Sequence, residues 1–137
     1  MNLSTTPRSP ITHLRHVAIA VPDYEPAVEF NRGVWGLIPV ADDGDVAFFA
    51  AQASPEQYIL RVRRAPEKRL DLIAFGAEDA PSVDALAERL IAADVRIDRE
   101  PAELDTPGGG YGFRFFDPEG RLVEVSSDVA QREARPL

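Results

Sequence analysis

The chain contains one pattern of secondary structure twice, and this internal repeat constrains the fold more than any other feature. A strand over residues 16–21 precedes a helix over 24–32 and three short strands that end near residue 63. A second series of one strand, one helix and three strands begins near Leu72, 56 residues after His16. Two such modules predict an α+β fold, in which two βαβββ modules form a half-open mixed β-barrel with the helices outside.

The hydrophobic pattern indicates which face of each element is buried. On the first strand the larger apolar residues Val17, Ile19 and Val21 alternate with His16 and small side chains. We expect the larger residues to pack against a helix, which leaves the His16 face lined with small groups. The second helix carries one apolar stripe at helical spacing from residue 83 to residue 91, and Asp79 is its predicted start. Asp23 is the predicted cap of the first helix.

The length of 137 residues fits one compact domain. Residues 1–12 are polar and contain two prolines, which predicts a flexible leader. The domain is expected over residues 13–128, with modules at about 14–65 and 70–128. Residues 129–137 are interpreted as a tail or linker.

Composition excludes several classes of function. The chain has 23 acidic and 15 basic residues, a net charge of −8, and no cysteine. A surface without an excess of Lys and Arg is unsuited to nucleic acid or anionic lipid, and the lack of cysteine excludes disulfides, thiolate catalysis and cysteine-type zinc sites. No apolar run approaches the roughly 18 residues of a membrane span, so a cytoplasmic protein is expected. Imidazole chemistry within one chain must use His13 or His16, the only histidines.

His16 and Glu124 form the first candidate pair. Each lies on an alternating strand whose opposite face is apolar, so both side chains point into the hollow of the sheet if their strands lie close together. Imidazole and carboxylate groups are ligands of divalent metals, and two histidines with one carboxylate hold non-haem iron. A buried hydrogen-bonded His–Glu pair explains the same pattern without a metal. Both interpretations remain open on the sequence.

Two other motifs draw attention to loops and to charge. The glycine-rich run at residues 107–112 is followed by a strand and not by a helix, so it predicts a flexible loop, as a lid over the hollow, and not a phosphate cradle. Residues 61–69 concentrate positive charge on an acidic chain. We interpret them as a solvated strand face and loop in preference to a site that steers an anionic substrate. The basic residues of this cluster are Arg61, Arg63, Arg64, Lys68 and Arg69.

Four segments together resemble the vicinal oxygen chelate superfamily, which includes glyoxalase I, bleomycin-resistance proteins and extradiol ring-cleaving dioxygenases. They are LRHVAIAVPD at 14–23, AVEF at 27–30, VWGL at 34–37 and GFRFFDPEGRLVE at 112–124. The resemblance covers residues 14–127. The VWGL stretch and the Phe-Asp-Pro-x-Gly turn are most similar to the extradiol dioxygenases, and in particular to the N-terminal domain of the two-domain enzymes.

The resemblance implies a metal site that is incomplete in this chain. Active domains of that branch hold iron with two histidines and a glutamate, and His16 and Glu124 match the first and last of these positions. The middle position is Leu72, which cannot coordinate a metal, and Asp71 alternates onto the opposite face. Arg114 stands where the active domains have a tyrosine, and Tyr111 lies three residues earlier. The implied cofactor is Fe(II) or Mn(II), or none, and the implied ligand cavity contains Leu72, Tyr111 and Arg114.

Three functions follow from these implications. The first is an extradiol-dioxygenase-like domain with an incomplete metal site, which acts on or packs around a small aromatic ligand of the catechol type. The second is a stand-alone metal-dependent enzyme of the glyoxalase type. The third is a non-enzymatic dimer that sequesters a small molecule. In each case a homodimer or a second domain is expected, because the modules leave open sheet edges.

Overall fold

The computed structural model describes residues 8–137, and these form one eight-stranded mixed sheet with two α-helices. The elements follow in the order β1 (Ile11–Val21), α1 (Tyr24–Glu29), a π-helical turn (Phe30–Val34), β2 (Ile38–Asp42), β3 (Val46–Ala50), β4 (Leu60–Arg64), β5 (Arg69–Ala77), α2 (Ala80–Ala92), β6 (Ile97–Glu103), β7 (Tyr111–Phe116) and β8 (Leu122–Ser127).

The strand order β2-β3-β4-β1-β5-β8-β7-β6 shows the repeat directly. Strand β1 runs parallel to β4 in the first module, and β5 runs parallel to β8 in the second. The two modules meet where β1 pairs antiparallel with β5. The sheet is open, with β2 and β6 at its two ends. The predicted α+β class of two βαβββ modules is therefore confirmed.

Each helix covers an apolar cluster on the convex side of the sheet. Val83, Leu86 and Ala87 of α2 are buried against Phe113 and Val125 of the second module. The start of α2 is as predicted, because the Asp79 side chain accepts a hydrogen bond of 2.8 Å from the backbone N–H of Ser82.

The first helix begins at Tyr24 as predicted, but its cap and its C-terminal end differ from the prediction. Asp23 makes no side-chain hydrogen bond as a cap, and α1 is only six residues long. The chain continues as a π-helical turn, whose end is followed by Gly36 at φ +82°. The cluster beneath α1 is nevertheless the predicted one, since Val17, Ile19 and Val21 pack against it.

The β1–β5 ladder has three register shifts, and two of them, at Arg15 and Asp71, are β-bulges that change which side chains face the concave side. Leu14 pairs with Phe75 and His16 with Ala74, so Arg15 is an extra residue on β1. On β5, Asp71 is the extra residue between Leu70 and Leu72. Arg15 and His16 are consequently both buried, as are Asp71 and Leu72. The expectation that Asp71 faces away from Leu72 was wrong, because strict alternation fails at a bulge.

Strand β1 begins inside the predicted leader, and the predicted tail packs back on the domain. Residues 1–7 of the leader lie outside the described residues, and β1 already begins at Ile11, which pairs with Ala77. Residues 129–137 form no helix or strand, yet they fold back on the loop after β3. The backbone N–H of Arg132 donates to the carbonyl of Pro55 at 2.8 Å, and its guanidinium donates to the carbonyl of Ala51 at 2.8 Å.

No helix within residues 8–137 is both long and apolar enough to cross a bilayer.

Candidate functional site

A row of four side chains crosses the concave face of the sheet. His16 of β1 lies opposite Ala74 of β5, Ala74 lies opposite Glu124 of β8, and Glu124 lies opposite Arg114 of β7. Because the residue between them is only an alanine, the curled sheet brings His16 Nε2 to 3.8 Å from Glu124 Oε2. The structure thus brings together the two predicted metal ligands, across one intervening strand.

Glu124 is held by the neighbouring arginine. The Arg114 Nε–H donates to Glu124 Oε1 at 3.0 Å, and the Glu124 side chain is only 3 % exposed. A buried carboxylate requires a compensating positive charge and a hydrogen-bond donor, and Arg114 supplies both.

His16 is a neutral aromatic group in this setting. Its ring lies 4.3 Å from the Tyr58 ring, between centroids, and Tyr58 in turn contacts the Phe48 ring edge-on at 4.8 Å. Burial, followed by the charges of Arg61, Arg15 and Arg114, lowers the pKa of His16 to about 3. The imidazole is therefore uncharged at neutral pH, and its contact with Glu124 is neither an ion pair nor a hydrogen bond.

A second buried network lies beside this row and was missed in the sequence. The Arg15 guanidinium donates to Glu56 Oε1 and Oε2 at 3.0 and 2.9 Å, and also to the hydroxyl and carbonyl of Ser126. His13 Nε2 lies 2.5 Å from Glu56 Oε1. Alternation along β1 places Arg15 on the wrong face, and Glu56 lies in a predicted turn. No sequence signal marks the bulge that brings them together.

A small cavity separates the two networks. It is lined by Arg15, His16, Glu56, Tyr58 and Glu124, and its volume of about 10 Å³ has room for one water molecule. The predicted glycine loop and the tail cover it, since Gly109 and Val129 also line this cavity.

Gly110 allows this close covering. It has φ +105°, and a Cβ there would lie 2.8 Å from the carbonyl oxygen of Ser127.

The residues present do not fit a resident divalent metal. Leu72 is 1 % exposed, packs against Ala18 and Ala74, and has no donor atom. Arg114 already occupies one oxygen of Glu124. Within residues 8–137 no group of three or more His, Asp or Glu side chains is placed to hold a metal ion. The implied Fe(II) or Mn(II) would have only two donors, the neutral His16 imidazole and the Glu124 carboxylate that Arg114 already binds. The guanidinium groups around His16 would also repel the metal ion.

The predicted ligand-cavity residues separate into two groups. Leu72 and Arg114 lie on the concave side, as predicted. Tyr111 does not join them, because alternation along β7 puts it with Phe113 and Phe115 on the helix side. Its hydroxyl group donates to Asp84 Oδ1 of α2 at 2.5 Å.

An open groove on the concave side provides more space than the inner cavity. This groove, called the outer groove below, has a volume of about 440 Å³. Leu122 contributes apolar surface and Phe116 an aromatic ring, whereas Leu72, 1 % exposed, lies at the closed base of the groove. The other lining residues are Arg69, Leu70, Asp71, Asp98, Gly120 and Arg121.

Comparison with known sequences places the fold and the site in context. Residues 13–125 match the profile of the Glyoxalase/Bleomycin resistance protein/Dioxygenase superfamily. The chain belongs to this superfamily. The resemblance inferred from the sequence motifs is therefore confirmed.

Similar proteins of known description include dioxygenases and a glyoxalase. A manganese-dependent 2,3-dihydroxybiphenyl 1,2-dioxygenase of Geobacillus genomosp. 3 is 31 % identical over 125 residues, which are 90 % of this chain and 39 % of the relative. The Mn(II)-bound glyoxalase of Novosphingobium aromaticivorans is 47 % identical with a TM-score of 0.92, over 95 % of this chain and 43 % of that one. The chain thus spans about two fifths of these relatives.

A third similarity concerns the fold alone. Homoprotocatechuate 2,3-dioxygenase of Arthrobacter globiformis superposes with a TM-score of 0.85 at 23 % identity, over 94 % of this chain and 40 % of that one.

The buried Arg15–Glu56 pair gives a prediction about stability. Glu56→Gln leaves the Arg15 guanidinium buried without its countercharge, so we expect the free energy of unfolding in urea at pH 7 to fall by about 3 kcal/mol. The matched control is Glu25→Gln. Glu25 pairs with Arg64 at the surface with a side chain 72 % exposed, so little or no change is expected there. Equal effects of the two substitutions would contradict the assignment.

The low pKa of His16 gives a prediction about pH. The pKa of His16 is about 3 in the folded chain and has its ordinary value of 6.5 in the unfolded chain. Between these two pH values the unfolded state therefore binds a proton at His16 that the folded state does not. Stability is therefore complete above pH 6.5 and falls as the pH is lowered, by roughly 3 kcal/mol down to pH 4. In unfolding experiments we expect His16→Phe to remove the part of the fall in unfolding free energy between pH 6.5 and pH 4 that His16 causes. Proton NMR checks it directly, and an imidazole of His16 that titrates near pH 6 would contradict it.

Proposed function

We propose that this domain is of the extradiol-dioxygenase type, binds a small aromatic molecule in the outer groove, and holds no metal of its own. One observation carries the proposal. Arg114 binds the Glu124 carboxylate where a metal ion would bind it. Leu72 occupies the position where a third metal ligand would be needed. A guanidinium in place of a metal ion keeps Glu124 charged and buried without providing an open coordination position.

The outer groove supports the aromatic ligand. Its volume of about 440 Å³ lies within the range of roughly 300–1,000 Å³ that is typical of small-molecule sites. Leu122 offers apolar surface for the face of a ring, and Phe116 offers an aromatic partner. The Geobacillus relative is named for an aromatic substrate, 2,3-dihydroxybiphenyl.

The chemistry of the concave side favours binding over turnover. With a pKa of about 3, the His16 imidazole is a weak base at neutral pH. Glu124 is committed to Arg114, and Tyr58 is 6 % exposed beneath Phe48, with burial raising the pKa of its hydroxyl group. The groove therefore positions a ring against apolar surface and excludes water from one of its faces, with no group ready to move a proton.

A metal-dependent enzyme of the glyoxalase type is the second candidate function. The identity of 47 % to the Mn(II)-bound glyoxalase favours it. This chain spans 43 % of that protein, so the position of its manganese does not follow from the match. Metal binding separates the two functions.

Metal loading is the first test. We expect the purified chain, incubated anaerobically with Fe(II) or Mn(II) and desalted, to retain less than about one tenth of an ion, since two ligands hold these ions weakly. Leu72→His combined with Arg114→Gln adds a donor and frees Glu124, and this variant is expected to retain about one ion. Elemental analysis measures both.

The control for metal loading is Ile91→His, which adds a histidine on an exposed part of α2 and should retain no metal. A wild-type chain that retains about one ion per chain, and loses it in His16→Ala, would overturn the proposal in favour of the metalloenzyme.

We further propose that an exposed apolar patch is covered by a second copy or a second domain. The patch consists of Phe30, Val34 and Trp35, which are 53 %, 77 % and 60 % exposed. Surfaces of this kind mark interfaces. In sedimentation velocity we expect a dimer of the wild-type chain and a monomer of Trp35→Ser. A monomeric wild type would exclude the homodimer and leave the second domain as the cover.

A further inference from the structure

Residues 129–135, called the strap below, connect the second module to the first across the hollow. Strand β8 ends at Ser127, and Asp128 turns the chain with φ +58°. The backbone N–H of Ala130 then donates to the carbonyl of Gly108 at 2.9 Å, in the glycine-rich loop of the second module. The strap therefore leaves β8 in contact with the loop that the sequence predicted as a lid.

The strap is fastened to the first module mainly by one arginine. The Arg132 guanidinium donates to the carbonyl oxygens of Ala51 and Ser54 at 2.8 and 3.2 Å, and its backbone N–H donates to the carbonyl of Pro55. The backbone N–H of Arg135 donates to a carbonyl of the same loop at 2.9 Å. Arg132 thus joins the strap to the loop between β3 and β4 through both its side chain and its backbone.

Val129 fits a recess that exists because residues 108 and 110 are glycines. A Cβ at Gly108 would lie 2.9 Å from Cγ1 of Val129, and a Cβ at Gly110 would lie 2.6 Å from Cγ2. Both glycines have positive φ, +87° and +105°, a conformation that other residues rarely adopt. The glycine-rich loop is therefore shaped to receive the strap.

The strap covers a group of buried polar side chains. Val129 lines the inner cavity together with His16, Tyr58 and Glu124, and the cavity has room for one water molecule. The outer groove lies toward the other end of β8, at Leu122. Opening of the strap would therefore uncover the His16 end of the concave side without involving the outer groove.

The contacts of the strap are of the kind that open locally. It forms no helix or strand, and of its seven residues only Val129 and Arg132 are partly buried. Segments with few buried apolar contacts and solvent-exposed hydrogen bonds open at a lower free energy than the whole domain. The Arg132 guanidinium binds neutral carbonyl groups, so its release leaves no carboxylate buried without a partner. The end of β8, by contrast, is buried.

We infer that the strap is a gate over the inner cavity, which opens as one unit, is latched by Arg132, and admits water and small polar solutes to His16, Tyr58 and Glu124. The gate goes beyond the function proposed for the outer groove and does not depend on it. It gives the concave side a second entrance, which is closed in this structure by Val129 and the glycine-rich loop.

Hydrogen exchange on the whole chain, followed by NMR for each amide, tests whether the strap opens as a unit. The amides of Ala130, Arg132 and Arg135 should share one opening free energy and exchange at least about tenfold faster than those of β8. Exchange as fast as in an unstructured peptide would mean that the strap is not closed. Exchange together with β8 would mean that it does not open separately, and either result would overturn the gate.

A substitution tests the latch. Arg132→Ala removes the guanidinium, and we expect the amide of Ala130, at the other end of the strap, to exchange about tenfold faster. Arg135→Ala is the matched control, because Arg135 binds the loop through its backbone N–H, which alanine keeps. An equal effect of the two substitutions would contradict the assignment of Arg132 as the latch.

Diethyl pyrocarbonate, which acylates unprotonated imidazoles, tests access to the cavity. The His16 side chain is 5 % exposed, and that of His13 is 44 % exposed and serves as the internal reference. In Arg132→Ala we expect acylation of His16 relative to His13, measured by mass spectrometry, to rise about tenfold, in step with the open population.

Two results would overturn the gate in this labelling experiment. One is faster exchange of the strap in Arg132→Ala with unchanged acylation of His16. The other applies to the wild-type chain, and decides if the variant does not fold. There, acylation of His16 that responds to urea as the amides of β8 do, and not as those of the strap do, would show that the cavity is reached only by global unfolding.

Discussion

The pairing of β1 with β5 is the interaction on which the rest of the structure depends. It joins the two modules into one sheet, and the bulges at Arg15 and Asp71 decide what faces the hollow. Arg15 and Asp71 are the extra residues of those bulges, and each is a buried charge at the centre of an ionic network. Without the bulges both side chains would face the convex side, where α1 and α2 cover apolar clusters and charges are costly.

The concave side is organised around carboxylates that are compensated by arginine. Glu124 has Arg114, Glu56 has Arg15, and Asp71 has Arg63. Such pairs are costly to bury and still costlier to break, so each arginine holds its carboxylate in one geometry. Burial, followed by the charges of Arg61, Arg15 and Arg114, keeps His16 neutral, and these charges disfavour a further cation beside it. A superfamily fold is thus retained in a chain whose candidate metal position has only two of the implied ligands.

Much of the fold was predictable because it depends on local periodicity. The alternation at Val17, Ile19 and Val21 and the stripe of α2 identified the buried faces correctly. The facing of His16 and Glu124 followed from the same alternation. Predictions failed where alternation was broken or misapplied. Asp71 lies at a bulge, and Tyr111 was grouped with Arg114 although an odd spacing on one strand puts the two on opposite faces.

The sequence by itself determined the duplicated βαβββ order, the family, and the absence of a third ligand at Leu72, because these depend on residue types and their spacing. Only the tertiary structure decided that Arg114 compensates Glu124, that Arg15 meets Glu56, and that Arg61 is largely buried beside Asp71. Those contacts join strands and loops far apart in the chain, and they depend on bulges and sheet curvature. Neither bulges nor curvature leave a periodic signal in the sequence.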